Sequence, residues 1–186
     1  MRQAEQELSD YEGQFENGGQ LRARIGEYWT FLNHPNRDGA SPYAWSAAFI
    51  SFLVNRAGAE DSFPYSGQHS VYFYRLIRDR LRERDVPFWG YRRGEVEIGP
   101  GDIIGMNRGD AATIDYDQAS GDADYLSHAD IVVHRDADGT LHTIGGNVGR
   151  RPGQIGRKAF VQQDERLVNR ADPDQQVFVV LRNRLA

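Results

Sequence analysis

AWSAAFISFLVNRAG, residues 44–58, reads as one buried helix, and the expected fold is built around it. Trp45, Ala48, Phe49, Phe52 and Leu53 follow the i, i+3, i+4, i+7, i+8 spacing of an apolar helical face. Ser41-Pro42 ahead of it is a turn and helix-start signal, and Gly58 behind it suits a left-handed C-cap. Ser46 falls in the first turn. There, unpaired backbone N–H groups and the helix dipole favour negative charge, which suits an oxygen nucleophile. A small polar residue near a helix start is also common for structural reasons alone. Ser46 therefore takes its meaning from the rest of the chain.

Upstream, residues 1–20 are rich in Gln, Glu, Asp and Gly and read as a polar N-terminal arm that breaks near Gly18-Gly19. Residues 21–186 then form a single domain. Its first helix places Leu21, Ile25, Tyr28, Trp29 and Leu32 on one face, followed by a loop from His34 to Gly39. Downstream of the central helix, Ser66 or Ser70 can cap a third helix from His69 to about Glu83. Its expected buried face is Val71, Tyr74, Ile77 and Leu81, flanked by Phe73 and Leu76. From Val86 the period shortens. VPFWGYR, EVEI, DIIGM, HADIVVHR, TLHTIGG, KAFVQ and QVFVVLR read as strands separated by Gly, Pro or Asp turns. Helices first and strands after predict an α+β domain with helices packed on an antiparallel sheet.

The 186 residues contain no cysteine, so disulfides, zinc–thiolate sites and a catalytic thiol are excluded. The formal net charge of −5 argues against nucleic acid as a partner, because phosphate binding needs a clustered basic surface. The one basic cluster, Arg150, Arg151, Arg157 and Lys158, is interleaved with glycines and Pro152 and reads as a solvated loop. No apolar run reaches membrane-spanning length. The polar, acidic start MRQAEQELSDYEGQ is not a secretory signal peptide, so the chain is expected to be made in the cytoplasm. Any action outside the cell would need a specialised secretion route. Residues 110–124 carry aspartates at 110, 115, 117, 122 and 124. A calcium loop is one reading. The spacing is not that of an EF-hand and lacks its closing Glu, which favours a solvated insertion.

HADIVVHRDADGTLHTIGGN, residues 128–147, reads as a hairpin turning through Asp136-Ala137-Asp138-Gly139. Alternation puts His128, Asp130, Val132 and His134 on one face. With a four-residue loop His128 lies opposite Asn147; with a two-residue Asp138-Gly139 turn Asn147 lies opposite Asp130. Both registers put Asn147 on the His128 face and His142 on the other, whereas a three-residue loop reverses this. A His–Asn pair near a hydroxyl at a helix start is the arrangement of nucleophilic catalysis: a base takes the proton and a third polar group fixes the ring. Ser46 is thus the expected nucleophile, His128 the base and Asn147 the orienting group. Trp45, His69 and Asp130 are the expected substrate contacts. His69 equally fits a hydrogen bond at its helix start, and Asp130 a solvated strand position. A metal site from His128, Asp130 and Asp124 lacks ligand spacing, so neither metal nor cofactor is expected.

Taken in order, Trp45-Ser46-Ala47-Ala48-Phe49, Pro100-Gly101-Asp102, Ser127-His128-Ala129-Asp130-Ile131-Val132 and Gly145-Gly146-Asn147 resemble the NlpC/P60 and CHAP amidases. The likeness spans about residues 22–150 and is nearest to a bacterial branch whose helix reads W-S-A-A-F-I-S. It implies a papain-like fold and hydrolysis of peptidoglycan stem peptides or related amides, with the helix residue as nucleophile. The chain departs from the pattern by carrying Ser46 where those enzymes carry Cys. A thiol can ionise beside a histidine beforehand; a serine needs its base during the reaction. Three readings follow: a serine hydrolase, a retired enzyme that binds a cell-wall fragment or protein partner, or an inactivated Cys→Ser form. A secreted antibacterial effector, with a cognate immunity or delivery protein, is compatible with either chemistry.

Overall fold

The computed structural model describes residues 1–108, 114–149 and 151–185. Asp110 of the acidic stretch and Arg150 of the basic cluster lie outside the described residues. Four helices precede the strands: α1 (Arg2–Tyr11), α2 (Gly19–Phe31), α3 (Ser46–Val54) and α4 (His69–Leu81). A short α5 (Tyr116–Gly121) sits between the second and third strands, opened by a reciprocal capping box between Asp115 and Gln118. The segment read as an arm carries α1, whose Ala4 and Leu8 are buried in the main core.

The strands are β1 (Phe88–Arg92), β2 (Ile103–Asn107), β3 (Ser127–Arg135), β4 (Leu141–Val148), β5 (Gln154–Gln163), β6 (Arg166–Asn169) and β7 (Asp172–Asn183). They run in the order β1-β7-β2-β3-β4-β5-β6, with a further β7–β6 pairing. That pairing joins the two ends. β2, β3, β4, β5, β6 and β7 close into a six-stranded antiparallel barrel, and β1 extends it from β7. The papain-like arrangement, helices on an open antiparallel sheet, is therefore corrected: the sheet has no such open face.

Closure is the work of β7, at 12 residues the longest strand. Near its start, Gln176 pairs with Val168 of β6; further on, Val180 pairs with Ile104 of β2 and Leu181 with Gly90 of β1. Asp102 pins this end. Its buried carboxylate accepts the N–H groups of Gly99 and Asn183 at 2.9 Å and a guanidinium N–H of Arg182 at 3.1 Å. Closure also removes edge backbone groups that would otherwise recruit other chains. Alternation splits the barrel side chains in two. Ile104, Met106, Val132, Leu141, Phe160, Leu167 and Val177, drawn from every barrel strand, pack together inside. Ile103, Ile131, Ile144, Val179 and Leu181 join the helices in the larger core.

α3 is buried nearly all round, from Ser46 to Val54 with only Phe52 partly exposed. A helix apolar on every side is a core helix. It lies against β4 and β3 and is followed by a π-helical turn, Asn55–Ala59, in which Gly58 takes the left-handed φ of 95°. The buried face of α4 is Tyr72, Phe73, Leu76 and Ile77, while Leu81 is 65% exposed. The expected face is thus displaced by about one residue.

The seat of α3 depends on Gly146. A Cβ there would lie 2.6 Å from the Trp45 ring and 2.8 Å from the Phe49 ring, both fully packed. Gly146→Ala is expected to cost about 1–3 kcal/mol, the usual price of overpacking a core. Urea unfolding with an unchanged midpoint would show that β4 does not set the position of α3.

Candidate active site

The site begins with how α3 is held at its N-terminus. Trp45, the cap residue, is almost wholly buried; its indole N–H donates to Glu16 Oε2 at 2.6 Å and its ring sits against Tyr28 and Phe49. Trp45 is therefore an anchor of the helix start and not a substrate contact. Ser46 follows as the first residue of α3, with no side chain capping the free N–H groups of that turn. Five residues on, Ser51 Oγ donates to Ser66 O at 2.9 Å and accepts from Ser66 N at 3.1 Å. This clamp fixes the approach to α4, whose first residue is His69.

The two helix starts meet there. Ser46 Oγ lies 2.6 Å from His69 Nε2, and both residues are buried. The other ring nitrogen, Nδ1, is hydrogen-bonded to the Tyr72 hydroxyl one turn along, and the ring stacks on Phe73 at 18°. Burial pushes the Tyr72 hydroxyl well above the ordinary tyrosine value, so it stays protonated. Two proton arrangements fit. In one, Tyr72 donates to Nδ1 and His69 Nε2–H donates to Ser46. In the other, Nδ1–H donates to Tyr72 and Nε2 accepts the Ser46 proton. Only the second makes His69 a base. Burial pushes His69 well below the ordinary histidine value, and the His128 and Arg108 charges add to this. The imidazole is thus neutral and able to accept a proton at neutral pH.

Ser46 Oγ is hydrogen-bonded to His69, and His128 Nε2 is not its partner. The His128 ring lies beside that of His69, 5.5 Å away centre to centre and edge-on at 68°. Its Nε2 is 3.0 Å from Asp130 Oδ1, but the approach is off the N–H direction, and the nitrogen has no aligned hydrogen-bond partner. Burial lowers the His128 pKa, Lys158 lowers it further, and Asp130 opposes both. Asp130 is wholly buried in the barrel, not a solvated strand residue. It accepts from Thr143 Oγ1 at 3.0 Å and pairs with Lys158 Nζ at 3.1 Å. Burial would raise its pKa, but Lys158 and His128 outweigh that and hold the carboxyl below the usual carboxylate range. Lys158, read as part of a solvated loop, is the internal counter-ion.

Asn147 is not the orienting group. The hairpin pairs Ile131 with Ile144 and Val132 with Thr143, the register that would set Asn147 opposite His128. However, β4 turns irregular after Gly145, and Asn147 takes a left-handed φ of 57°. Its side chain lines a separate cavity of about 500 Å³ with Glu16, Tyr43 and Arg151. A bulge between Val132 and His134 also shifts the tip of the hairpin, so His134 pairs with His142 and their rings lie 5.8 Å apart. The expectation that these two histidines face opposite ways is corrected by that bulge.

Ser46 and His69 open on a pocket of about 300 Å³, lined also by Ala44, Ala47, Gln68, Arg108, Asp124, Tyr125, Leu126 and Ser127. Because Ala44, Ser46 and Ala47 line it, the uncapped N-terminus of α3 faces the same space as the hydroxyl. Among the described residues no cluster of three His, Asp or Glu is arranged to hold a metal ion, and no helix is long and apolar enough to cross a membrane. The sequence put His69 at the cleft or in a helix-start hydrogen bond, but nothing in it announced the contact with Ser46, although Tyr72 three residues on was a visible partner. Arg108 and Tyr125 carried no sequence signal as pocket residues.

A family model described as "Uncharacterized protein conserved in bacteria (DUF2272)" matches residues 18–164. No curated protein and no solved structure matches the chain.

Proposed function

We propose that this chain, which belongs to the bacterial DUF2272 family, is a serine-dependent acyl hydrolase or transferase acting on amide or ester bonds. The observation that carries the reading is the 2.6 Å contact between Ser46 Oγ and His69 Nε2 at an uncapped helix N-terminus beside an open pocket. Ser46 attacks the carbonyl carbon while His69 Nε2 takes its proton. The N–H groups at the start of α3 face the developing oxyanion. His69 then returns the proton to the leaving group. Tyr72 holds the ring through its hydrogen bond to Nδ1.

Cell-wall stem peptides are the proposed substrates. The motif likeness to NlpC/P60 and CHAP amidases, on Trp45-Ser46-Ala47-Ala48-Phe49 and Ser127-His128-Ala129-Asp130, supports that class. The reading rests on the Ser46–His69 pair and makes no use of those enzymes' fold. Release as an antibacterial effector fits the same chemistry. Incubation with a fluorophosphonate probe is expected to label Ser46 in the wild type and nothing in Ser46→Ala, with matching melting curves. An unlabelled wild type that still binds stem peptides would replace the enzyme with a retired domain that retains the ligand.

A further inference from the structure

The lining of the pocket beside Ser46 carries donors that have no acceptor among the described residues. Arg108 follows β2 and is half-buried on the lining; among the described residues no carboxylate lies within ion-pair distance of it. Tyr125 and Ser127 belong to the same lining, and their oxygens lie beneath its surface. Both oxygens are buried and neither has a hydrogen-bond partner. Most buried polar atoms in folded proteins are paired, and leaving one unpaired costs free energy. A guanidinium cannot accept, and burial raises the Tyr125 pKa so that its hydroxyl remains a donor. The surplus therefore calls for a ligand rich in acceptor oxygens and negatively charged. Arg108, Ser46 and His69 line the same pocket, so an anion seated on Arg108 would share that space with the reacting serine.

Charge chooses among anions. The lining also carries Asp124, and among the described residues Arg108 is the one cation on it, with the Arg151 charge acting on it from outside the lining. A single-charge carboxylate is matched by one guanidinium, which it can meet in bidentate fashion. A phosphate dianion would bring a second charge toward Asp124 with no second cation on this lining. We propose that the pocket selects acyl substrates bearing a free carboxylate, bound by Arg108 with the Tyr125 and Ser127 hydroxyls donating alongside. This inference rests on the acyl-transfer reading for its placement next to Ser46, but binding is measured separately from turnover.

The experiment is calorimetric titration of the Ser46→Ala protein, which does not consume ligand. The probes are a stem tetrapeptide as the free acid, the same peptide with all carboxylates amidated, and inorganic phosphate. The acid is expected to bind at least about tenfold tighter than the amide, the scale of one charged hydrogen bond. Adding Arg108→Gln should remove that preference, and Arg108→Lys should restore part of it. Tyr125→Phe removes a hydroxyl that bonds to nothing in the free protein. It should weaken acid binding severalfold with no fall in melting temperature, which a purely structural role would not produce. Equal binding of acid and amide, no binding of the acid, phosphate binding as tight as the acid, or an unchanged preference in Arg108→Gln would each overturn the inference. Fluorophosphonate labelling of wild-type Ser46 in the face of any of these results would leave the hydrolase reading standing. Acid preference without labelling would leave the carboxylate pocket standing alone.

Discussion

Replacing His69 with alanine is expected to lower kcat/KM for an acyl substrate by about 10²- to 10⁴-fold, the range for loss of a general base. The reason is contact: His69 Nε2 is the group 2.6 Å from Ser46 Oγ. His128→Ala should cost less, because the hydrogen bond to Ser46 Oγ is made by His69 and the His128 ring lies 5.5 Å from the His69 ring. Asn147→Ala should leave the rate close to wild type, since that side chain lines a different cavity. The pH profile carries a second signature. The free base is the active form, and burial holds the His69 pKa well below 6.5. Activity should therefore stay level as pH falls through 6.5 and decline only in more acid solution. A His128→Ala protein with no activity beside an active His69→Ala protein would return the role of base to the strand histidine.

That contrast shows how far the residues could be read without coordinates. The helix around Ser46 was legible because nine residues in succession are small or apolar and Pro42 and Gly58 bracket them. The position of the proposed nucleophile followed from the same stretch. The partner did not, because the Ser51–Ser66 clamp joins groups 15 residues apart through a loop, and no periodicity announces it. Strand alternation correctly put His128 and Asp130 on one face, but it carries no information about which helix approaches that face. Barrel closure was illegible for a related reason. β6, Arg166–Asn169, is only four residues long, and Glu95–Ile98, read as a strand, is not one. Without β6 there is no partner for the first half of β7, and the sheet reads as open. The two glycines before Asn147 read as a turn, yet both are there for space. Gly146 admits Trp45 and Phe49 on the helix side, while a Cβ on Gly145 would lie 1.9 Å from Asp130 Oδ1.

Asp130→Ala is expected to destabilise the protein by about 3–5 kcal/mol, the cost of breaking a buried ion pair from one side. The variant strands the Lys158 ammonium, 3.1 Å from the lost carboxylate and 11% exposed, and leaves Thr143 without its acceptor. Asp130→Leu combined with Lys158→Met should recover much of that loss, because two apolar side chains need no partner. Acid unfolding separates the contributions. His69 and His128 are held neutral, with pKa values below the unfolded 6.5, so the unfolded chain binds protons first. Stability is then greatest above pH 6.5 and falls below it by about 1.4 kcal/mol per pH unit for each histidine, until the folded values are reached. The Asp130 carboxyl is also depressed, so its contribution is present above about pH 4 and lost as pH falls further. The double variant should keep the first decline and lose the second. Urea unfolding at pH 8, 5.5 and 3 measures both. A wild type equally stable at pH 8 and 5.5, or an Asp130→Ala protein within about 1 kcal/mol of wild type at pH 8, would show that this buried charge cluster is not what holds the barrel end behind His69.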